Sequence, residues 1–254
     1  MRFSLRENRG IKSKLKSWLL PSGRSPRRIH LGLLGGLTMQ LDFAHHCQRW
    51  LGLQERELFH WFRRFGRDIN TAFDIGANDG VYTFYFLARS PAHKIYSFEP
   101  SPDRVRDLQE NLALNNLAGD RRLEIVARRV GASIAEGQTT LDSWVSAIVS
   151  PCLLKVDIDG GERDLLSGAT QLLALPGIRW IIEVHSKDLE QHCLQVLREA
   201  GYHVEIVHNA WWRHVIPELR PGELNHWLVA YRDGEKPGDA QTRGQDREVV
   251  SRRP

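Results

Sequence analysis

Four short segments hold residue types that could do chemistry, and each stands where a β-rich run gives out. The first reads Asp74-Ile75-Gly76-Ala77-Asn78-Asp79-Gly80 and passes straight into a helical pattern. Gly76 and Gly80 supply a tight turn there and let a ligand approach the backbone at a helix start, as a cofactor cradle requires. It is not the dinucleotide fingerprint GxGxxG, since Asn78 stands in the middle glycine's place, and that weighs against a pyrophosphate ligand. The second segment, Phe98-Glu99-Pro100, places a carboxylate 25 residues after Asp74 at the neighbouring strand's tip. An ionised acid in that position can accept both hydroxyl protons of a ribose. Alone, the loop is an ordinary turn and Glu99 a surface acid; side by side they describe a nucleoside site. The third and fourth segments carry Asp157 with Asp159, and Glu183 with His185. Strand alternation puts the members of each pair on one side of its strand, giving a cluster of carboxylates and an imidazole.

Those strand ends need a sheet to hold them. Runs at 71–76, 94–99, 123–130, 153–159 and 179–185 are β-rich, and helical stretches at 81–88, 102–114, 161–175 and 188–200 lie between most of them. This alternation predicts a parallel sheet with crossover helices, whose ligand lies outside the carboxyl ends of the strands. Runs at 202–208 and 225–231 have no long helix between them, so the sheet is expected to end antiparallel. Apolar residues at helical spacing, among them Trp50, Leu51, Leu58, Phe59 and Phe62, predict an amphipathic helical lead-in over 44–65.

With these segments in order, the sequence resembles the FkbM family of S-adenosylmethionine-dependent methyltransferases. The resemblance rests on 73–83, on Phe98-Glu99-Pro100-Ser101-Pro102 with Asn111 and Leu114-Asn115, and on Thr140-Leu141-Asp142-Ser143. It continues through Leu154-Lys155-Val156-Asp157-Ile158-Asp159-Gly160-Gly161-Glu162, Leu165 to Ala169, and Ile182-Glu183-Val184-His185. The resemblance implies an α/β, Rossmann-like class I methyltransferase fold: a seven-stranded, mostly parallel sheet in the order 3-2-1-4-5-7-6, flanked by helices. It also implies S-adenosylmethionine as cofactor, with Asp74, Gly76, Asn78 and Gly80 along its methionine part and Glu99 on the ribose. Two departures stand out. Asp159 replaces the family's more frequent Glu, and the stretch between Val130 and Thr139 is brief where a wall for the adenine is expected.

Methyl transfer from a sulfonium is an in-line displacement that depends on positioning, and a hydroxyl acceptor also needs a base or a polarising cation. Three readings of the strand-end cluster follow. His185 can be the base with Glu183 or Asp157 orienting its ring. Asp157, Asp159 and Glu183 can instead hold a divalent cation, though no metal is the primary expectation. Finally, Asp157 can simply pair with Lys155 or a helix start, with Glu162 supporting the next helix. The expected catalytic set is His185, Asp157 and Glu183, acting on a hydroxyl of a small molecule or glycan. A non-catalytic S-adenosylmethionine-binding scaffold and an NAD(P)-dependent oxidoreductase are the alternatives.

Composition bounds the rest. With 41% hydrophobic and 26% charged residues over 254 positions, the chain is globular, not collagenous, wholly disordered or polytopic. Its formal charge of +4 divides unevenly: nine Lys/Arg against Glu7 in the first 30 residues give +8, leaving −4 on the remainder. A basic arm on an acidic body does not read as a nucleic-acid binder, which needs basic charge over a folded face. The expected organisation is a flexible arm over 1–40, a methyltransferase domain over 41–231 and a disordered polar tail over 232–254. Ile29 to Met39 is apolar but too short to span a bilayer. Ile11, Leu15, Trp18 and Leu19 fall at helical spacing and permit a weak membrane-surface contact by the arm. Cys47, Cys152 and Cys193 form no pairing pattern, which fits a reducing cytoplasm. His45-His46-Cys47 reads as surface and packing, and Trp211-Trp212-Arg213-His214 is suited either to cover an acceptor pocket or to pack in the core.

Overall fold

A computed structural model describes residues 23–210 and 226–232. In chain order it opens with an antiparallel ribbon, β1 (Ser25–Arg28) and β2 (Thr38–Leu41), then α1 (Phe43–Trp50) and α2 (Phe59–Phe65). There follow β3 (Thr71–Ile75), α3 (Val81–Arg89), β4 (Lys94–Phe98), α4 (Pro102–Leu114) and β5 (Leu123–Val126). After a small parallel pair, β6 (Arg129–Val130) with β7 (Gln138–Thr139), come β8 (Cys152–Val156), α5 (Glu162–Ser167), α6 (Thr170–Ala174) and β9 (Ile178–Val184). α7 (Lys187–Glu199), β10 (His203–Val207) and β11 (His226–Tyr231) complete the described chain.

The main sheet runs β10-β11-β9-β8-β3-β4-β5. Its five strands from β9 to β5 pair in parallel, and β11 is antiparallel to both neighbours. Counting from β3 as the first strand, this is the order 3-2-1-4-5-7-6 that the resemblance implies. β3, β8 and β9 are buried at every position, as strands covered by helices on both faces must be. One face packs Ala72, Ile95 and Ile181 under Phe62, Phe65, Phe84 and Phe86. The other packs Phe73, Phe98, Leu154 and Trp180 under Leu165, Leu172 and Leu197. Helix starts are set locally: Ser101 caps α4 ahead of Pro102, and the Ser186 hydroxyl accepts from the Leu189 N–H at 3.2 Å to cap α7.

Four expectations need correction. The arm over 1–40 is not free at its inner end, because Ile29, Leu34 and Met39 are buried in the core. Part of the expected arm thus packs with the domain, and residues 1–22 lie outside the described ones. The lead-in over 44–65 breaks into α1 and α2 at Gly52, which is at φ +68° with Leu31 packed so close that a Cβ would stand 2.1 Å from its carbonyl oxygen. The helix over 161–175 divides at Gly168, where a Cβ would meet the Gly131 carbonyl oxygen at 2.2 Å. The strand over 123–130 leaves the sheet after Val126, so Arg129 and Val130 pair with β7 instead. The Trp211–His214 cover and the tail beyond 232 lie outside the described residues.

Candidate active site

β3 and β4 place the glycine loop and Glu99 side by side. The N–H groups of Gly76 and Ala77 both donate to the Phe98 carbonyl, at 2.9 and 3.0 Å, which bends the loop over the tip of β4. Asn78 then turns at φ +50° and donates its N–H to Glu99 Oε2 at 2.9 Å. The Ser101 N–H donates to Oε1 of the same carboxylate at 2.9 Å. Each Glu99 oxygen thus has one protein donor, and each keeps lone-pair capacity for a diol. At Gly76 a Cβ would lie 1.9 Å from the Asp157 carbonyl oxygen, so the glycine is required by close packing of β3's exit against β8's. Gly80 begins α3 at φ +100°, with Leu108 2.3 Å from where a Cβ would be.

Asp74 sits beneath the loop. It is buried, and its Oδ2 accepts from the Thr83 hydroxyl at 2.6 Å, while Thr83 also contacts Ser97 at 2.7 Å. Burial pushes its pKa up to about 6, against the opposing effect of the Thr83 bond and the Lys155 charge. From the far side of the loop, Asn111 on α4 donates to the Asp79 carbonyl at 2.9 Å and accepts from the Gln40 N–H of β2 at 2.7 Å. Arg49 of α1 is ion-paired with the Asp79 carboxylate. These contacts explain Asn111 and Asn115 of the sequence pattern: Asn115 grips Thr38 through both its N–H and its carbonyl. Asp142, from another matched segment, is structural too, since its two oxygens accept from the Leu172 N–H and the Thr170 hydroxyl at the start of α6.

β8 and β9 bring the catalytic candidates together. Ligand atoms of Asp157, Glu183 and His185 all lie within 4.8 Å of one another. His185 Nε2 stands 3.7 Å from Asp157 Oδ1 and 3.5 Å from Oδ1 of the fully exposed Asp159. The Asp157 carboxylate holds the imidazole above its usual pKa, with burial opposing and Glu183 and Glu162 adding to the rise. Glu162, fully buried at the start of α5, is itself raised by burial.

Beneath this cluster lies a residue that the sequence presents only as a structural partner of Asp157. Lys155 is completely buried, with Nζ 3.6 Å from Asp157 Oδ2 and 3.6 Å from Glu183 Oε2. It donates to the Val156 carbonyl at 3.2 Å and lies 5.0 Å from the centroid of the Tyr82 ring, whose hydroxyl bonds Glu55. Burial works against its charge, yet Asp157, Glu183, Glu55 and Asp74 together keep its pKa above the usual value. A signal for it exists in the sequence: a lysine inside the apolar run Leu153-Leu154-Lys155-Val156 must find acids or stay out of the sheet. Elsewhere, His46 accepts from the Asp42 N–H at 3.1 Å and burial drops its pKa to about 4, in keeping with a packing role.

The strand order, the glycine loop and the acid at the second strand's tip define a class I methyltransferase fold. Residues 74–136 match the methyltransferase FkbM domain. The hexuronic acid methyltransferase AglP of Haloferax volcanii is 25% identical over 175 residues, which are 60% of this chain and 71% of that protein. Methyltransferase 1 of Beauveria bassiana is 34% identical over 62 residues, 24% of this chain and 25% of that one. Among solved structures, a methyltransferase FkbM from Methylobacillus flagellatus superposes with a TM-score of 0.51 at 17% identity, over 65% of this chain. The present chain spans 44% of that protein's length. No helix among the described residues is long and apolar enough to cross a membrane.

Proposed function

We propose that the protein transfers a methyl group from S-adenosylmethionine to a hydroxyl of a saccharide or related small molecule, with His185 as general base. The observation that carries this reading is the placement of His185 against Asp157 at the strand ends next to the loop that Glu99 closes. When bound, the cofactor supplies an electrophilic methyl carbon on a sulfonium. Glu99, already oriented by two backbone donors, accepts the ribose hydroxyls with its remaining lone pairs. Gly76, Asn78 and Gly80 keep the backbone low enough for the methionine part, and Asp74 holds the loop through Thr83.

The His185 imidazole takes the acceptor's proton, and Asp157 favours the imidazolium that forms. Lys155 sets its ammonium 3.6 Å from each of Asp157 and Glu183 beneath the ring. The Lys155 ammonium already offsets charge on both carboxylates, which weakens their pull on a divalent cation and favours the base over the metal. Asp157, Asp159, Glu162 and Glu183 give the site a strongly acidic cast, so the reacting atom fits an uncharged hydroxyl better than an anion. Similarity to a hexuronic acid methyltransferase supports a sugar as the acceptor class.

The purified chain, incubated with the donor and a panel of sugars and sugar acids, is expected to form S-adenosylhomocysteine and a methyl ether with excess EDTA present. Donor binding without turnover on any acceptor would support the scaffold alternative instead, and loss of turnover in EDTA would replace the base with a metal. The oxidoreductase alternative has no support from the FkbM domain match.

A further inference from the structure

On the flank of α2 and α3, the structure holds a second concave site that the methyl-transfer reading does not use. A cleft of about 370 Å³ lies between the tip of the ribbon, the end of α2 and the end of α3. Arg63, Arg67 and Arg89 line it, with Tyr85 on its floor and Gly32 and Gly66 in its walls. We propose that this cleft binds a phosphate-class anion, gripped by the three guanidinium groups.

The three arginines come from separate places in the fold. Arg63 lies in the last turn of α2, Arg67 in the connection to β3, and Arg89 ends α3. Arg89 is fixed to the ribbon by donation to the Gly35 carbonyl at 2.7 Å. Arg63 lies over the Phe59 ring, 6.0 Å from its centroid. Arg63 and Arg67 line the cleft with Tyr85, whose phenol burial pushes up to about 12 against their two charges. The phenol itself is spent on the Phe62 carbonyl at 2.5 Å, and a Cβ on Gly66 would stand 2.3 Å from its oxygen. The floor is therefore rigid, and recognition falls to the guanidiniums.

Charge balance leaves this cleft with a surplus of cations. Arg49, Arg122 and Arg179 each face a carboxylate, whereas none of the three cleft arginines has one among the described residues. The ends of α2 and α3 contribute about half a negative charge each, which offsets roughly one of the three cations. The surplus, offered as planar forks, suits phosphate oxygens. The volume exceeds one phosphate and admits an attached glycerol- or sugar-sized group. α3 spans nine residues from its start at the glycine loop to Arg89, so the cleft lies about 12 Å along the helix from the donor site at ~1.5 Å per residue.

The anion can belong to a soluble phosphorylated compound or to a phospholipid headgroup, and two measurements on the full chain distinguish them. Pyrophosphate is titrated calorimetrically at physiological ionic strength, and flotation is measured with phosphatidylcholine vesicles with and without phosphatidylglycerol. R63Q/R67Q and R89Q are compared with R64Q, whose guanidinium lies instead over Trp61 at 5.5 Å. The basic segment before residue 29 is common to all four proteins and cancels. Pyrophosphate affinity is expected to fall at least tenfold in R63Q/R67Q and in R89Q and to hold in R64Q. The same ranking in flotation on anionic vesicles would assign the anion to a headgroup, and its absence there to a soluble compound. Failure of the wild type to bind either probe, or an equal loss in R64Q, overturns the proposal.

Discussion

Asn78 donates its backbone N–H to Glu99 at 2.9 Å, so the glycine loop of the first strand and the acid of the second form one hydrogen-bonded unit. The acid is thus oriented before any ligand arrives, and ligand binding need not first immobilise its side chain.

That unit makes Glu99→Gln informative. An amide offers one acceptor oxygen and cannot satisfy the Asn78 and Ser101 N–H groups and a diol together. S-adenosylhomocysteine affinity, read by calorimetry, is expected to fall about tenfold or more, since a hydrogen bond to a charged group is worth roughly 1.5–3 kcal/mol. Unchanged affinity would remove Glu99 from the donor site.

His185 sets a pH limb. Its pKa is raised above 6.5, chiefly by Asp157, and the base works only unprotonated, so turnover is expected to rise with pH through a midpoint above 6.5. Asp157→Asn removes the charge that favours the imidazolium, which moves this midpoint to lower pH while reducing the maximum rate. His185→Gln is expected to lower kcat by about 10²-fold without weakening donor binding. A limb that stays in place in Asp157→Asn would show that another group titrates.

Lys155→Met tests the buried cation. Removing it leaves Asp157 and Glu183 without the ammonium they share, a loss of about 3–5 kcal/mol in denaturant titration. Adding Glu183→Gln to Lys155→Met is expected to restore part of that stability. A further loss in the double variant would mean that the acids are stabilised by other partners.

Asp74 gives a stability signature of the opposite sense to an ion-paired acid. Its pKa rises from 3.8 unfolded to about 6 folded, so the folded state gains from the neutral form at low pH and loses that gain as pH climbs through about 6. Relative to Asp74→Asn, the wild type is therefore expected to lose on the order of 2 kcal/mol between pH 4 and pH 7, because each tenfold change in proton affinity corresponds to about 1.36 kcal/mol. A constant difference across that range would place the carboxyl in a more polar setting than its burial implies.

Much of this architecture is legible in the residues, and the gaps have physical causes. Alternating β-rich and helical runs locate β3, β4, β8 and β9 within a residue or two at their starts, because fully buried strands leave long apolar signals. Asp74 to Gly80 and Glu99 can be paired from spacing alone, since strand tips adjoin in a parallel sheet. The breaks at Gly52 and Gly168 are hidden because they answer to Leu31 and Gly131, residues far away in the chain. The ribbon escapes notice for a similar reason: its short strands carry Arg27, Arg28 and Gln40, and its apolar residues are buried only once α4 and the core are in place. Lys155 can be seen but not weighed, since its value depends on Glu55, Tyr82 and Glu183 converging from three elements.

Asn111 has a consequence for how the chain can be shortened. Its side chain spends its oxygen on Gln40 and its amide on the loop carbonyl of Asp79, making it a pin between the amino-terminal hairpin and the glycine loop. Trimming back to residue 41 would strip that oxygen of its donor inside a dry interior. The damage would surface as weakened cofactor retention, far along the sequence from the cut.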